Sequence, residues 1–259
     1  MLRPRIIPCL LVHKGGLVKT QQFKAPKYIG DPINAVKIFN EKEADELMVL
    51  DIDASVNGAE PDYKTIAHLA AECRMPLAYG GGVRNVDQAR RIISLGVEKV
   101  SISSAAIERP ALISEIADAI GSQSVVVVLD VRKKLLGGHE VYTHNGQRAT
   151  GRSPLELARE AESRGAGEIV VNSIDRDGEM KGYDLALAAK LRDTAKVPLT
   201  VLGGAGSLVD IGKLITQCGT VGAAAGSLFV FKGAYRAVLI NYPTPAQKDE
   251  LLATLPTLT

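Results

Sequence analysis

The chain of 259 residues has no tryptophan, only 4% aromatic residues and three cysteines. Cys9, Cys73 and Cys218 are odd in number, far apart and set in apolar runs. This favours reduced thiols in a core over a disulfide framework or a zinc cluster. Charge of one sign is also lacking: 31 Lys and Arg stand against 29 Asp and Glu, a net +2. Without a Lys/Arg block or an aromatic ladder, no nucleic-acid partner is expected. No apolar run approaches ~20 residues, so no membrane span is expected. Pro4, Arg5 and Pro8 interrupt any signal-peptide core, and the expected location is cytoplasmic. Nothing in the composition calls for a metal or a cofactor.

What the chain does have is 46% hydrophobic residues, in a regular alternation. Short, continuous, β-branched apolar runs cover 5–12, 47–53, 76–80, 98–103, 124–131, 167–173, 198–202 and 220–225. Helical spacing of apolar residues fills 33–43, 62–74, 86–95, 109–119, 154–164, 184–195, 208–217 and 229–240. Strands apolar on both faces belong to a parallel sheet covered by helices. Eight such units in strict alternation predict a (β/α)8 TIM barrel, as one domain over 1–259. Pro76–Gly82 is echoed by Pro198–Gly204, and Leu50–Ser55 by Ser173–Gly178. The spacing is close to half the chain, so two half-barrel repeats are expected, about 1–120 and 121–240. The loop 13–30, with Lys14, Lys19, Lys24 and Lys27, reads as a mobile basic lid. The loop 132–151 carries a hairpin signal at Val141-Tyr142-Thr143 and Asn145-Gly146. The tail 243–259 is expected to hold a short helix at 246–253.

Three groups of residues carry chemistry. Gly81-Gly82 and Gly203-Gly204 follow the third and seventh strands, Ser103-Ser104 the fourth, and Gly226-Ser227 the eighth. Glycine lets backbone N–H groups approach an anion, and barrels often bind phosphate after strands 7 and 8. Two matched pairs predict a ligand phosphorylated at both ends, with Asp177-Gly178 bordering the second site. Carboxylates end several strands: Asp51, Asp53, Asp130, Asp175 and Asp177. Asp130 is the one expected to face a ligand, with Asp51 in a supporting place. At the opposite end, Arg5, Glu46, Lys99 and Glu168 open strands 1, 2, 4 and 6. Two bases and two acids close a neutral ring, either as a plug or as a polar gate.

Strand 1 runs Arg5-Ile6-Ile7-Pro8-Cys9-Leu10-Leu11-Val12, and its position 11 lies across the barrel mouth from Asp130. Acid/base chemistry there needs two polar groups, one giving and one taking a proton. This chain supplies a carboxylate and a leucine.

Over roughly residues 3–232 the chain resembles the cyclase subunit of imidazole glycerol phosphate synthase. The resemblance rests on Arg5–Leu10, Leu50-Asp51-Ile52, Gly80-Gly81-Gly82, Lys99–Ile102, Gly121-Ser122-Gln123 with Asp130, Ser173–Gly178 and Gly203–Gly206. It implies a glutaminase subunit docked at the barrel bottom as a heterodimer. Ammonia then crosses a charged gate, which maps onto Arg5, Glu46, Lys99 and Glu168, and attacks a bisphosphorylated ribonucleotide at the top. The family's motif has a catalytic Asp where this chain has Leu11. Asp130 and the basic Lys19 are retained, whereas Ser103-Ser104 and Leu202 depart from the family pattern. Leu17–Thr20, Gly30–Lys42, Ala225–Phe231 and Arg236–Pro243 resemble the paralogue associated with glycosyl amidation. That resemblance implies a sugar amidotransferase as ammonia acceptor in the building of surface-polysaccharide amidino sugars. Two rivals stay open: a working cyclase of histidine biosynthesis, and a structural activator of a glutaminase.

Overall fold

The computed structural model describes residues 3–233 and 235–253. Eight parallel strands close into a barrel: β1 (Arg5–His13), β2 (Leu47–Asp51), β3 (Leu77–Gly80), β4 (Lys99–Ile102), β5 (Val125–Lys133), β6 (Glu168–Ser173), β7 (Leu199–Leu202) and β8 (Gly222–Ala225). Each pairs with its neighbour in chain order. β1 pairs β8 from Arg5 against Gly222 to Pro8 against Ala225, which completes the ring. Helices lie between successive strands, so the fold is the (β/α)8 barrel that the alternation predicts.

Side chains alternate across each strand, and this sorts the continuous apolar runs into two cores. Leu10, Val49, Tyr79 and Leu129 point outward and pack with helical residues such as Phe39, Ile66 and Leu214. Ile7, Cys9, Leu11, Met48, Ala78, Val126, Val128, Val170, Leu202 and Ala224 form a separate cluster within the barrel. The helices start where local chemistry satisfies their free N–H groups. Asp31 caps Pro32–Glu41 through Asn34 N, Asn85 caps Val86–Ser94 through Gln88 N, and Ser207 with Asp210 forms a reciprocal capping box before Leu208–Cys218.

Two expectations meet the structure differently. The 13–30 segment is a β-hairpin, Gly16–Gln21 against Lys24–Gly30, continuing β1 in antiparallel fashion rather than forming a loose lid. Val18, Lys19 and Thr20 are buried, and Asp177 pins the turn by accepting from Thr20 Oγ1 (2.6 Å) and Phe23 N (3.2 Å). The segment 229–240 is not a helix. After the short helix Ser227–Val230, the chain makes a two-stranded ladder of Phe231–Lys232 and Ala237–Val238. Gly233 at φ +74° turns the chain where the helical spacing would have continued. The hairpin signal in 132–151 is realised as His139–Thr143 pairing both β5 and Arg148–Ala149. The tail helix spans Pro245–Ala253, and residues 254–259 lie outside the described residues. Tyr242 ties the chain end to the barrel, its hydroxyl donating to Ile6 O (2.8 Å) and accepting from Asp45 N (3.1 Å).

Cys9 and Cys218 are buried free thiols, and Cys73 is half-buried. Among the described residues no helix is long and apolar enough to cross a membrane.

Candidate functional site

The C-terminal ends of the strands open into a cavity of about 120 Å³. Its walls bring together residues that the sequence scatters over more than two hundred positions. Leu11, Lys19, Gly81, Gly82, Ser103, Ser104, Asp130, Asp177, Gly178, Gly203, Gly204, Gly226 and Ser227 all line it. Burial pushes the Cys9 thiol up to about 12, so this residue is a protonated part of the wall rather than a nucleophile.

The glycine pairs occupy equivalent backbone conformations. Gly81 and Gly82 sit at φ +122° and +76°, Gly203 and Gly204 at +95° and +111°. A Cβ on Gly81 would strike the backbone of Asp51, and one on Gly204 the carbonyl of Gly182. The internal repeat is therefore a repeat of close backbone packing at two opposite sides of the mouth.

Between those two sides, β1 and β5 face each other across the barrel, four strands apart in either direction. Asp130 on β5 accepts from Asn172 Nδ2 at 2.9 Å and from Ser103 Oγ at 3.5 Å. Burial raises its carboxyl from the usual 3.8 to about 7, since these two hydrogen bonds only partly offset desolvation. Leu11 on β1, 8% exposed, joins Leu202 and Leu50 in an apolar patch of the cavity wall. The mouth thus holds one acid near neutrality and no second carboxylate facing it on β1.

The other strand-end carboxylates are engaged structurally. Asp51 accepts from the backbone N–H groups of Asp53 and Ala54. Asp53 accepts from the His13 ring and Lys14 N, both at 2.7 Å. Asp175 accepts from Lys133 N at 2.8 Å. Asn172 is a residue that sequence reasoning missed. Its polar side chain at the same parity as inward-facing Val170 was the available signal.

A folded acid with a raised pKa binds a proton more tightly than the unfolded chain does. Stability is therefore lost as the pH rises from about 4 through 7. Asp130→Asn is expected to raise the melting temperature at pH 8 by on the order of 5 °C and to change it little at pH 4. Differential scanning calorimetry at the two pH values checks this. An equal effect at both would mean that Asp130 titrates normally.

At the N-terminal end of the barrel, Arg5, Glu46, Lys99 and Glu168 form a closed ring of alternating charge. Arg5 pairs with Glu46, and with Glu168 at 2.8 Å; Lys99 reaches Glu46 at 2.7 Å and Glu168 at 2.9 Å. Thr200, which the sequence reading overlooked, donates to Glu168 at 2.6 Å. Gly222 leaves room for it, because a Cβ there would overlap the Thr200 hydroxyl. Burial by itself raises the Glu168 carboxyl. Arg5, Lys99 and the Thr200 hydroxyl outweigh it and hold the group below its ordinary range. Both glutamates are buried, while Arg5 (28%) and Lys99 (19%) keep some solvent contact. The barrel cluster from Ile7 to Leu202 separates this ring from the cavity.

Comparison with known proteins adds the family. The histidine biosynthesis protein family matches residues 5–236. A Leptospira interrogans protein, provisionally named imidazole glycerol phosphate synthase subunit HisF, is 60% identical over 97% of this chain and 99% of its own length. A Pseudomonas aeruginosa protein, provisionally named as the same subunit under the symbol hisF2, is 56% identical over 96% of this chain and 99% of its own. A Hyphomonas neptunium protein named imidazole glycerol phosphate synthase subunit HisF is 42% identical over 89% of this chain and 91% of its own.

Proposed function

The chain belongs to the histidine biosynthesis protein family, and from that premise we propose that it is the barrel subunit of a glutamine amidotransferase system. In this reading it pairs with a glutaminase at the N-terminal end of the barrel and conducts ammonia through the ring of Arg5, Glu46, Lys99 and Glu168. The ammonia emerges at the C-terminal face for a sugar amidotransferase, in the assembly of surface-polysaccharide amidino sugars, and the barrel performs no cyclisation of its own. The carrying observation is the contrast between the two ends. A complete four-charge ring at one end is joined to a mouth where Leu11 faces Asp130.

Ammonia is small and uncharged, and the interior beyond the ring is lined by apolar groups that exclude ammonium and other ions. A side chain that transfers no proton costs a conduit nothing, whereas it removes half of an acid/base pair. The relative bearing the numbered symbol hisF2 agrees with a barrel that has diverged from a histidine-pathway copy. One observation favours a second reading, retained cyclase activity: Asp130 keeps a pKa of about 7, suited to acid or base work.

Glutamine labelled with ¹⁵N at the amide, offered with an excess of unlabelled ammonium, tests conduction. With the glutaminase and the acceptor enzyme present, the product is expected to carry the label despite the competing pool. Full dilution of the label would mean that the barrel only activates its glutaminase.

A further inference from the structure

The segment 132–151 carries a hairpin that the function proposed above does not use. β5 continues past Asp130 and pairs antiparallel with His139–Thr143, from Asp130 against Tyr142 to Lys133 against His139. At a rise of about 3.3 Å per residue, Lys133 stands about 10 Å beyond Asp130 of the cavity wall. The turn at the tip is Lys134-Leu135-Leu136-Gly137-Gly138. It closes through Lys134 N donating to Gly138 O at 3.0 Å and Gly137 N donating to Lys134 O at 3.2 Å. Gly137 and Gly138 take φ of +90° and +78°, which supplies what the turn requires. Leu135 and Leu136 are 106% and 102% exposed, as open as in an extended chain. Their side chains add nothing to the turn or to either core, in a place that ordinarily carries polar residues.

The base of this hairpin is held firmly. Asp175 accepts from Lys133 N at 2.8 Å and pairs at 3.6 Å with Arg132, whose guanidinium lies 4.8 Å from the centre of the Tyr142 ring. His139 meets Asp184 at 3.1 Å. Two apolar side chains are thus presented on a fixed support, which lowers the ordering cost of binding. Their setting is basic: Arg132, Lys133 and Lys134 precede them, and no Asp or Glu occurs from 131 to 139. Across the mouth, the hairpin that continues β1 repeats this charge. Residues 14–30 contain no Asp or Glu, and exposed Lys24 and Lys27 follow Phe23, which lines the cavity. Among the described residues no carboxylate lies within 4.0 Å of Lys24, Lys27, Lys133 or Lys134.

We propose that the Leu135-Leu136 tip is the docking point of a second protein seated over the barrel mouth. That protein receives the tip in an apolar pocket, and acidic side chains around the pocket meet the lysines on both sides of the mouth. In the function proposed above, on which this inference rests, it is the sugar amidotransferase that takes the ammonia. The glutaminase of that reading covers the opposite end of the barrel, out of reach of the tip. A second copy of this chain meeting tip to tip would set Lys133 and Lys134 against their own likeness. An anionic bilayer would attract the same cations, but it has no group to take the nitrogen that the mouth delivers.

Biolayer interferometry of the barrel–glutaminase complex against the purified sugar amidotransferase of the same organism provides the test. Binding is expected, and Leu135→Ser and Leu136→Ser should each weaken it by about tenfold or more, the range for losing a buried leucine. Lys134→Glu should slow association at low salt and have little effect at about 0.5 M salt. Circular dichroism and glutamine hydrolysis are the controls and should not change, since the leucines touch nothing in the chain. Equal binding by the parent and both leucine variants, or no binding by the parent at micromolar concentrations, would overturn the proposal. So would a parent dimer in sedimentation that Leu135→Ser dissolves. Leucine-dependent binding to phosphatidylglycerol vesicles, without binding to the amidotransferase, would overturn it in favour of a membrane. Transfer of ¹⁵N is scored separately. Full dilution of the label with leucine-dependent binding would remove conduction and keep the docking site, and retained label with leucine-independent binding would do the reverse.

Discussion

Given excess ammonium and the bisphosphorylated ribonucleotide of the cyclase family, the purified protein is expected to turn over at least about 100-fold more slowly than a member with aspartate at position 11. The size follows from what a positioned acid or base contributes, typically ~10²–10⁴-fold. Leu11 supplies neither role, and it sits on β1 across the mouth from Asp130, where the second group of a pair would stand. No neighbouring titratable group replaces it. Asp177 is committed to Thr20 and Phe23, and Lys19 is a cation on the flank of the cavity. Leu11→Asp is expected to restore part of the rate, because Leu202, Ser103 and Ser104 also differ from the family pattern. The new carboxyl would stand among Leu202, Val18 and Cys9, an apolar setting that raises its pKa. Turnover by the parent at an ordinary cyclase rate, followed by product formation with ammonium alone, would show that another group does the work of the missing acid.

The other large effect is expected at the ring. Lys99→Ala and Arg5→Ala each remove one of the two cations that both Glu46 and Glu168 use. Deleting one partner of a buried charge pair typically costs ~3–5 kcal/mol, because the remaining charge is left uncompensated. Here the surviving cation still bridges both glutamates, so the barrel should fold and the loss should appear in passage. Glutamine hydrolysis is expected to continue while transfer of its nitrogen falls by tenfold or more, with added ammonium restoring the product. Coupled assays of glutamate and amidated product, run in parallel, measure the ratio. Unchanged transfer in both variants would make the ring a structural plug. Loss of glutaminase stimulation would place it in the docking surface instead.

The internal repeat and the eightfold alternation were legible because they are local. The stretch Val125–Val131 of β5 is apolar at every position but Asp130, and only a strand buried on both faces reads so. The contrast between Leu11 and Asp130 was equally legible, since the ends of parallel barrel strands share one face. Where local pattern misled, a turn intervened. Gly233 stopped the helical spacing of 229–240, and the Lys-rich 13–30 segment became a hairpin because Asp177, from the far half of the chain, holds its turn.

By itself, then, the sequence determined the barrel, its symmetric glycine pairs, the acid without a partner and the four charges at the other end. Residue type and strand periodicity are enough for each of these. Only the tertiary structure decided that the charges alternate around a closed ring with Thr200 and that Asn172 supports Asp130. Whether a serine is free or bonded, and whether a lysine has a counter-ion, depends on side chains brought together from distant strands. Ser104 meets His144, Lys19 meets Gly226, and no spacing along the chain encodes either contact.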